Sequence, residues 1–414
     1  MSENKAAAGN GKRKQMTGYY DYNLLVCLIL LMSFGLIMLY SASAYEAYTS
    51  SNISSNLYFF EHQMKISLAA LVWVVFLSKV SYHFMAKFAS FLYVLAFVLM
   101  ALVQSPLGVE EFGARRWLKL GPVQFQPSEI AKIAVIMFLP LVILQMGRKF
   151  KGVWAQIVVF FTGAIQAVAA WQFTENLSTG IIIMLITLVV MVVALPKKGK
   201  LFWACIFMGI AAVAGALVYL KTHMDVLERW TQTGFAFIDG YQFQRVYEWL
   251  SGGSYQIHQG MYAIGSGGFF GKGLGNSTQK LGTIPEAQND MIFSIVCEEL
   301  GVFGAVLLLL MFGYLLYRLF MIAQNAPDLY GTLIVSGVFG HIAIQVILNL
   351  LVVMNLLPAT GITLPFISYG GTSFLFLATE LGVALSVADS IRLDEKKGKK
   401  HTPGEREKNL LTNT

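Results

Sequence analysis

Charge is scarce in this sequence. Of its 414 residues, only 13% are Asp, Glu, Lys or Arg, while 56% are hydrophobic. A soluble globular chain carries roughly 25% charged residues, so too little polar surface is available to cover a water-soluble body of this size. Cysteine is scarce as well. Cys27, Cys205 and Cys297 all fall inside apolar runs with no paired spacing, which excludes a disulfide framework and a zinc site. The histidines, at 62, 83, 223, 258, 341 and 401, are scattered with no two at ligand spacing.

Apolar sequence is abundant, and it comes in helix-length blocks. A bilayer core takes about 20 residues of helix. Ten stretches fit, at about 24–44, 64–80, 84–103, 128–146, 153–173, 177–195, 201–221, 290–317, 332–354 and 364–389. The fold class expected is all-α, a polytopic integral membrane protein with about ten transmembrane helices. No small-residue cleavage site follows the first block, so it reads as an uncleaved anchor.

The net charge of +7 is unevenly distributed. With the N-terminus inside, 20 of the 30 Lys and Arg residues fall in inner segments, including the short loops 148–152 and 196–200. The positive-inside rule is strongest in such loops. Both termini are then cytoplasmic. Residues 1–23 form a basic tail, 24–391 the membrane domain, and 392–414 a second basic tail. That tail reads as an inner-leaflet electrostatic anchor rather than a nucleic-acid site. Two outer segments are long: 104–127, and 222–289, the large extracellular loop between the seventh and eighth helices.

The first outer segment gathers Glu110, Glu111, Arg115, Arg116 and Lys119 around Trp117. Arginines facing outward break the positive-inside trend, and a guanidinium suits bidentate phosphate recognition. Pro127 fits the first turn of the next helix. Glu129 and Lys132 then share a face at i,i+3, either as a structural ion pair or as part of a rim for an anionic ligand. The second segment holds six glycines between Gly265 and Gly275 but matches no Walker loop. It is read either as a tight turn or as a nest of N–H groups. Asn52-Ile53-Ser54 and Asn276-Ser277-Thr278 match the glycosylation pattern, which is common by chance.

Asp290 opens the eighth block. Helical phase puts Ser294 and Cys297 on its face, Glu298 at the edge and Glu299 opposite. The acid is placed either to cap the helix or to meet a substrate. The last outer turn, with Pro358, Gly361, Pro365, Gly370 and Gly371, breaks the start of the tenth block. Irregular backbone at membrane depth is tolerated where it is buried or lines a cavity; a cavity and a packing kink are both compatible with it.

Four stretches together resemble the SEDS family of cell-wall proteins: GARRWLKLG with QPSEIAK (113–132), YAIGSGGFFGKGLGNSTQKLGTIPEAQNDMIF (262–293), CEELG (297–301) and LPATGITLPFISYGGTS (357–373). The resemblance implies a peptidoglycan glycosyltransferase that polymerises lipid II, with Asp290 as catalytic carboxylate. It implies a substrate cavity lined by Arg116, Gln126, Ser128, Glu129 and Lys132. Arg115, Lys119, Gly267, Gly268, Lys280, Glu286, Ser368 and Tyr369 are further binding candidates. Glu298 and the Pro358–Gly371 set are expected to be structural. Where the family often has His-Thr-Asp-Phe, this chain has Gln288-Asn289-Asp290-Met291, and the histidine is missing. The segment Glu175–Thr179 looks more like the division branch than the elongation branch; a sporulation member is the alternative. Implied partners are lipid II, membrane lipids, a class B penicillin-binding protein and other division proteins. A Mg²⁺ or Mn²⁺ ion could share the leaving-group charge, although no dedicated cage is visible. A lipid II flippase and a non-catalytic scaffold are the alternatives from other classes.

Overall fold

The computed structural model describes residues 20–43, 45, 57–111, 114–121, 123–195, 200–234, 240–282, 284–285 and 287–391. Residues 1–19 of the first tail, the whole of the second, the Asn52 glycosylation pattern and Glu286 lie outside the described residues.

The apolar blocks become helices because a backbone in hydrocarbon must satisfy its polar groups within the segment. In chain order they are α1 (Tyr22–Ala42), α2 (Tyr58–Lys79), the short α3 (Tyr82–Ala86) and α4 (Ala89–Leu102). After a small sheet come α5 (Pro127–Met146), α6 (Val153–Thr174), α7 (Leu177–Ala194), α8 (Lys200–Thr222), α9 (Met224–Thr233), α10 (Gly240–Leu250) and α11 (Tyr255–Ser266). The last three are α12 (Ile292–Asn325), α13 (Leu329–Val353) and α14 (Gly371–Asp389). Local chemistry sets several starts. Asp21, Asn176 and Asp328 each accept a backbone N–H from the first turn of α1, α7 and α13, and Pro127 occupies the first turn of α5.

Among the described residues, 8 helices are long and apolar enough to cross a membrane, or up to 9 if the pair broken at His223 counts as one span. The block expected at 84–103 is interrupted, leaving the 14-residue α4 as its apolar part. The block expected at 290–317 is the 34-residue α12, about 51 Å long at 1.5 Å per residue. That exceeds a hydrocarbon core of about 30 Å. Its first nine residues, 292–300, are almost wholly buried, and apolar residues such as Val302, Phe303 and Leu310 become exposed below them. The lipid-facing part therefore begins near Gly301.

Helices α5, α13 and α14 carry the most buried windows and form the centre; α2 lies along α14, and α1 along α12. Both described chain ends sit at one end of the bundle. Asp21 pairs with Arg318 at 2.7 Å, Tyr20 bonds Ser78, and Lys79 pairs with Asp389 at 3.6 Å. The opposite end holds the small sheet and the segment that leads into α12.

At that end the helical expectation needs one addition. Residues 108–125 form a three-stranded antiparallel sheet, with β1 (Gly108–Glu111), β2 (Ala114–Leu120) and β3 (Val123–Phe125) in that order. Val109 faces Trp117, and Lys119 faces Gln124.

Candidate active site

The site end is held together by two unusual backbones. The first is the break in α12 at Gly301, whose φ is 67°. A break in a helix frees carbonyls above it and N–H groups below it. The Gly-rich segment satisfies both sets. Lys272 and Gly273 donate their N–H groups to the Glu298 and Glu299 carbonyls at 2.9 Å. Val302 and Phe303 donate to the Gly268 and Phe269 carbonyls at 3.0 and 3.1 Å. The approach needs glycine on both sides: a Cβ on Gly301 would lie 2.3 Å from the Gly271 nitrogen, and one on Gly271 would lie 2.1 Å from the Glu299 carbonyl oxygen.

Side chains lock the same joint. Glu298 takes Lys272 Nζ at 2.6 Å, the Ser277 hydroxyl, and the Thr278 N–H and hydroxyl at 3.1 and 2.9 Å. Glu299 takes Lys280 Nζ and the Ser41 hydroxyl at 2.7 Å. Glu298, expected to be structural, sits in a wholly buried network. Lys280, read as a substrate contact, is buried in the same network. Gly267 packs on the Cys297 carbonyl, and Gly268 gives its carbonyl to Val302.

The second unusual backbone is the broken approach to α14. Its freed carbonyls are taken up by side chains from the bundle. Ser178 donates to Thr360, Gln345 to Thr363, and Asn349 to Ile362, at 3.1, 3.0 and 2.8 Å. Ser368 is buried and accepts the Leu364 N–H at 2.7 Å. Tyr369 donates its N–H to the Gln288 carbonyl at 2.9 Å and shares a 3.0 Å bond with His62. Gly361 has φ 68°; Gly370 caps α14 and Gly371 begins it; Pro365 is buried.

Asp290 lies between these two backbones. Asn349, already bonded to Ile362, donates to the Asp290 carbonyl at 2.8 Å. The carboxylate accepts from the Gln256 amide at 3.4 Å. It does not cap α12, whose N-cap is Met291 with no side-chain bond. Desolvation pushes its pKa up from 3.8 to about 6, against the opposing pull of backbone N–H groups and of Arg245.

A cavity of about 330 Å³ has Ile362 in its wall, and Asn349 ties that residue's carbonyl to the Asp290 carbonyl; Asp290 itself is not a lining residue. The cavity wall is mainly apolar, with Ile181, Val246, Leu348, Val352 and Pro358 among the lining residues. Arg116, Arg245 and Glu175 bring charge to it. Arg116 reaches the Glu175 carbonyl at 3.5 Å, and the Glu175 carboxylate accepts the Arg115 N–H at 3.1 Å.

The structure thus separates residues that the sequence grouped. Strand alternation turns Arg116 toward the cavity and Arg115 and Lys119 toward solvent; Arg115 stands 3.8 Å from Glu110. Glu129 and Lys132 form a buried pair at 2.8 Å inside α5. Gln126 donates to the fully buried Ser128 at 3.0 Å. Arg245, Gln256 and Asn349 were not singled out from sequence. Their signal was weak, a lone arginine and two amides in ordinary contexts. The His341–Glu380 pair, buried in the bundle interior at 2.7 Å, was also missed because its members lie far apart in sequence.

A bundle with 8 helices long and apolar enough to cross a membrane among its described residues is that of a polytopic membrane protein. The chain belongs to the FtsW/RodA/SpoVE family, described as cell cycle proteins, whose family model matches residues 21–393. It is 34% identical to stage V sporulation protein E of Bacillus subtilis strain 168 over 375 residues, covering 89% of this chain and 96% of that one. It is 31% identical to the probable peptidoglycan glycosyltransferase FtsW of the same organism over 395 residues, covering 94% and 95%. Among solved structures, a chain from work on the structural coordination of polymerization and crosslinking by a peptidoglycan synthase complex matches with TM-score 0.71 at 27% identity, covering 91% of this chain and 99% of that one. The crystal structure of the rod shape determining protein RodA of Thermus thermophilus matches with TM-score 0.64 at 26% identity, covering 91% and 98%.

Proposed function

We propose that this chain is a peptidoglycan glycosyltransferase that polymerises lipid II, with Asp290 as general base. The observation that carries the reading is the position of that acid: half-buried at one end of the bundle, and tied through Asn349 to Ile362 in the wall of a cavity that pairs apolar residues with two arginines. A polyprenyl diphosphate donor has the same two-part chemistry, an apolar chain and an anionic head.

Asp290 takes the proton from the 4-hydroxyl of the acceptor's N-acetylglucosamine. The oxygen attacks the anomeric carbon of the donor's N-acetylmuramic acid, and undecaprenyl diphosphate leaves. The α-linked donor gives a β-1,4 product, so the single displacement inverts. Charge growing on the diphosphate needs cations aimed at it. Among the cations read from sequence as binding candidates, Arg116 lines the cavity, Arg115 is exposed 3.8 Å from Glu110, and Lys132 is paired with Glu129. Among the described residues no group of three His, Cys, Asp or Glu side chains could hold a metal ion. No step is routed through a Mg²⁺ or Mn²⁺ ion.

The positive-inside count assigns the Asp290 end to the non-cytoplasmic face and both termini to the cytoplasm. The working complex pairs the chain with a class B penicillin-binding protein, at the division septum. One observation favours a flippase as a second reading: the His341–Glu380 pair sits in the bundle interior, where translocation paths place ionisable groups. Polymer formation from lipid II by the purified complex, wild type against Asp290→Asn, tests the first reading; near-normal polymer from the variant eliminates the base. Flipping in vesicles without polymer would move the assignment to the second.

A further inference from the structure

Helix α13 carries three buried polar side chains in register. His341, Gln345 and Asn349 follow one another at i, i+4 and i+8, and all turn toward α14 or its approach. His341 Nδ1 lies 2.7 Å from Glu380, and the Gln345 and Asn349 amides donate to the Thr363 and Ile362 carbonyls. Each of the three is at most 5% exposed, yet keeps one atom with no protein partner: His341 Nε2, Gln345 Oε1 and Asn349 Oδ1. The carbonyls they meet need N–H donors, so the amide oxygens are the free ends. Below His341 this provision stops. The Thr332 and Ser336 hydroxyls bond carbonyls one turn back, Tyr330 bonds the Met137 carbonyl, and Ser386 of α14 bonds the Val80 carbonyl. Among the described residues, no buried side-chain nitrogen or oxygen on α13 below His341, or anywhere on α14, lacks a partner. The upper end meets the cavity. Leu348 and Val352, beside Asn349 on α13, line it with Ile362 and with Thr360, whose hydroxyl also has no protein partner.

We propose that this face of α13 holds a one-ended file of water molecules, which carries protons between the cavity and a proton-binding site at His341–Glu380. The site stands whichever reaction the chain performs. Buried polar atoms without protein partners are satisfied by ordered water. Successive side chains of the column rise about 6 Å along the helix, and a water with two hydrogen bonds of about 2.8 Å spans most of that distance. Glu380 sets the chemistry at the closed end. A carboxylate only accepts, so Nδ1 carries the ring hydrogen and Nε2 faces the file as a base. Nε2 takes a proton from the adjoining water, which is made good from the cavity side; an N–H bond forms, and the bond to Glu380 becomes an ion pair. The other titratable groups on helices packed against α13 are largely committed. Helix α5 brings Glu129 and Lys132, joined at 2.8 Å, and α12 brings Cys297 with the lysine-bound Glu298 and Glu299. Helix α11 brings His258, and α7 has no titratable side chain.

The test uses the full chain, labelled with nitrogen-15 histidine, uniformly oriented in proteoliposomes. Solid-state NMR follows the His341 ring, assigned by the signal that His341→Gln removes. In the wild type Nε2 should exchange protons with water. Its signal should titrate with the pH on the Asp290 side while the pH on the side of the chain termini is held fixed. Gln345→Met keeps the volume but removes both amide atoms. It should slow the exchange about tenfold, as loss of one buried hydrogen-bonded link does, with the Nδ1–Glu380 bond retained. A wild-type Nε2 that does not exchange with water overturns the proposal. Titration from the side of the termini, or from both sides, overturns the one-ended file and shows a path that crosses the bundle. Unchanged exchange in a folded Gln345→Met overturns the route along α13. If that variant does not fold, the two wild-type readouts decide.

Discussion

Asp290 and the pair Glu298–Glu299 lie about two turns apart at the head of one helix, and their surroundings are opposite. Glu298 and Glu299 are fully buried, and each holds a lysine at 2.6–2.7 Å with several further donors. Asp290 is half-buried, takes one long side-chain amide contact at 3.4 Å together with nearby backbone N–H groups, and feels Arg245 through its field, with no ion pair as close as those of the glutamates. A carboxylate saturated by donors is committed to structure, because any loss of a partner strands a buried charge. A carboxylate that is desolvated but incompletely paired keeps proton affinity near neutral pH and is available for chemistry. The neighbours alone thus decide how fully each acid is paired.

The sharpest break of this comparison is an exchange of roles. Asp290→Asn should lower the polymerisation rate by about 10²–10⁴-fold, the usual worth of a general base, with its thermal midpoint retained. Glu299→Ala should do the reverse. Leaving Lys280 buried without its partner costs about 3–5 kcal/mol, read as a lowered melting midpoint in detergent. Equal loss of stability in both variants would erase the distinction.

Gly301→Ala should cost about 1–3 kcal/mol from backbone strain at φ 67°, before its clash with Gly271 is added, and thermal unfolding checks it. The pH response sharpens the contrast further. Activity should fall about tenfold per unit below about 6 as the base is protonated. Stability from the same group runs the other way. Its folded pKa, about 6, is raised above the ordinary 3.8, so the folded state favours the protonated form. That contribution is complete below about 4 and is lost as pH rises through 6. Rate and unfolding midpoint, measured across that window, should move in opposite directions. The smallest effect is expected at Lys119→Ala, an exposed position on β2, within about 0.5 kcal/mol of wild type.

Much of the bundle was legible because hydrophobic blocks of helix length have one economical solution in a bilayer. The blocks that read poorly had local physical causes. Helix α4 is cut short by the break at Lys87–Phe88. The eighth block opens on Asp290 and holds Glu298 and Glu299, which a hydropathy window clips, and the first turns of α12 are buried against the Gly-rich segment. The sheet at 108–125 was hidden because its strands are three to seven residues long and rich in charge. Asp290, Arg116 and the broken turn at 357–370 were visible as outward polar features in an apolar chain. Arg245, Gln256 and Asn349 were not, because their role comes from long-range convergence: Asn349 bridges residues 290 and 362. Lys132 and Lys280, read from sequence as binding candidates, lie in buried ion pairs, and the matching reason applies. Sequence shows a charge at the interface but not the acid that has already claimed it.

The break at Gly301 also separates two frames of reference. Below it, α12 is gripped by lipid and must follow the thickness and tilt that the bilayer imposes. Above it, the helix is strapped to protein by the glycine segment and the two lysine clamps. The acid's elevation is therefore levelled against the rest of the polypeptide, and a thinner or thicker membrane would swing the lower shaft while leaving the tip at the same height above its substrate.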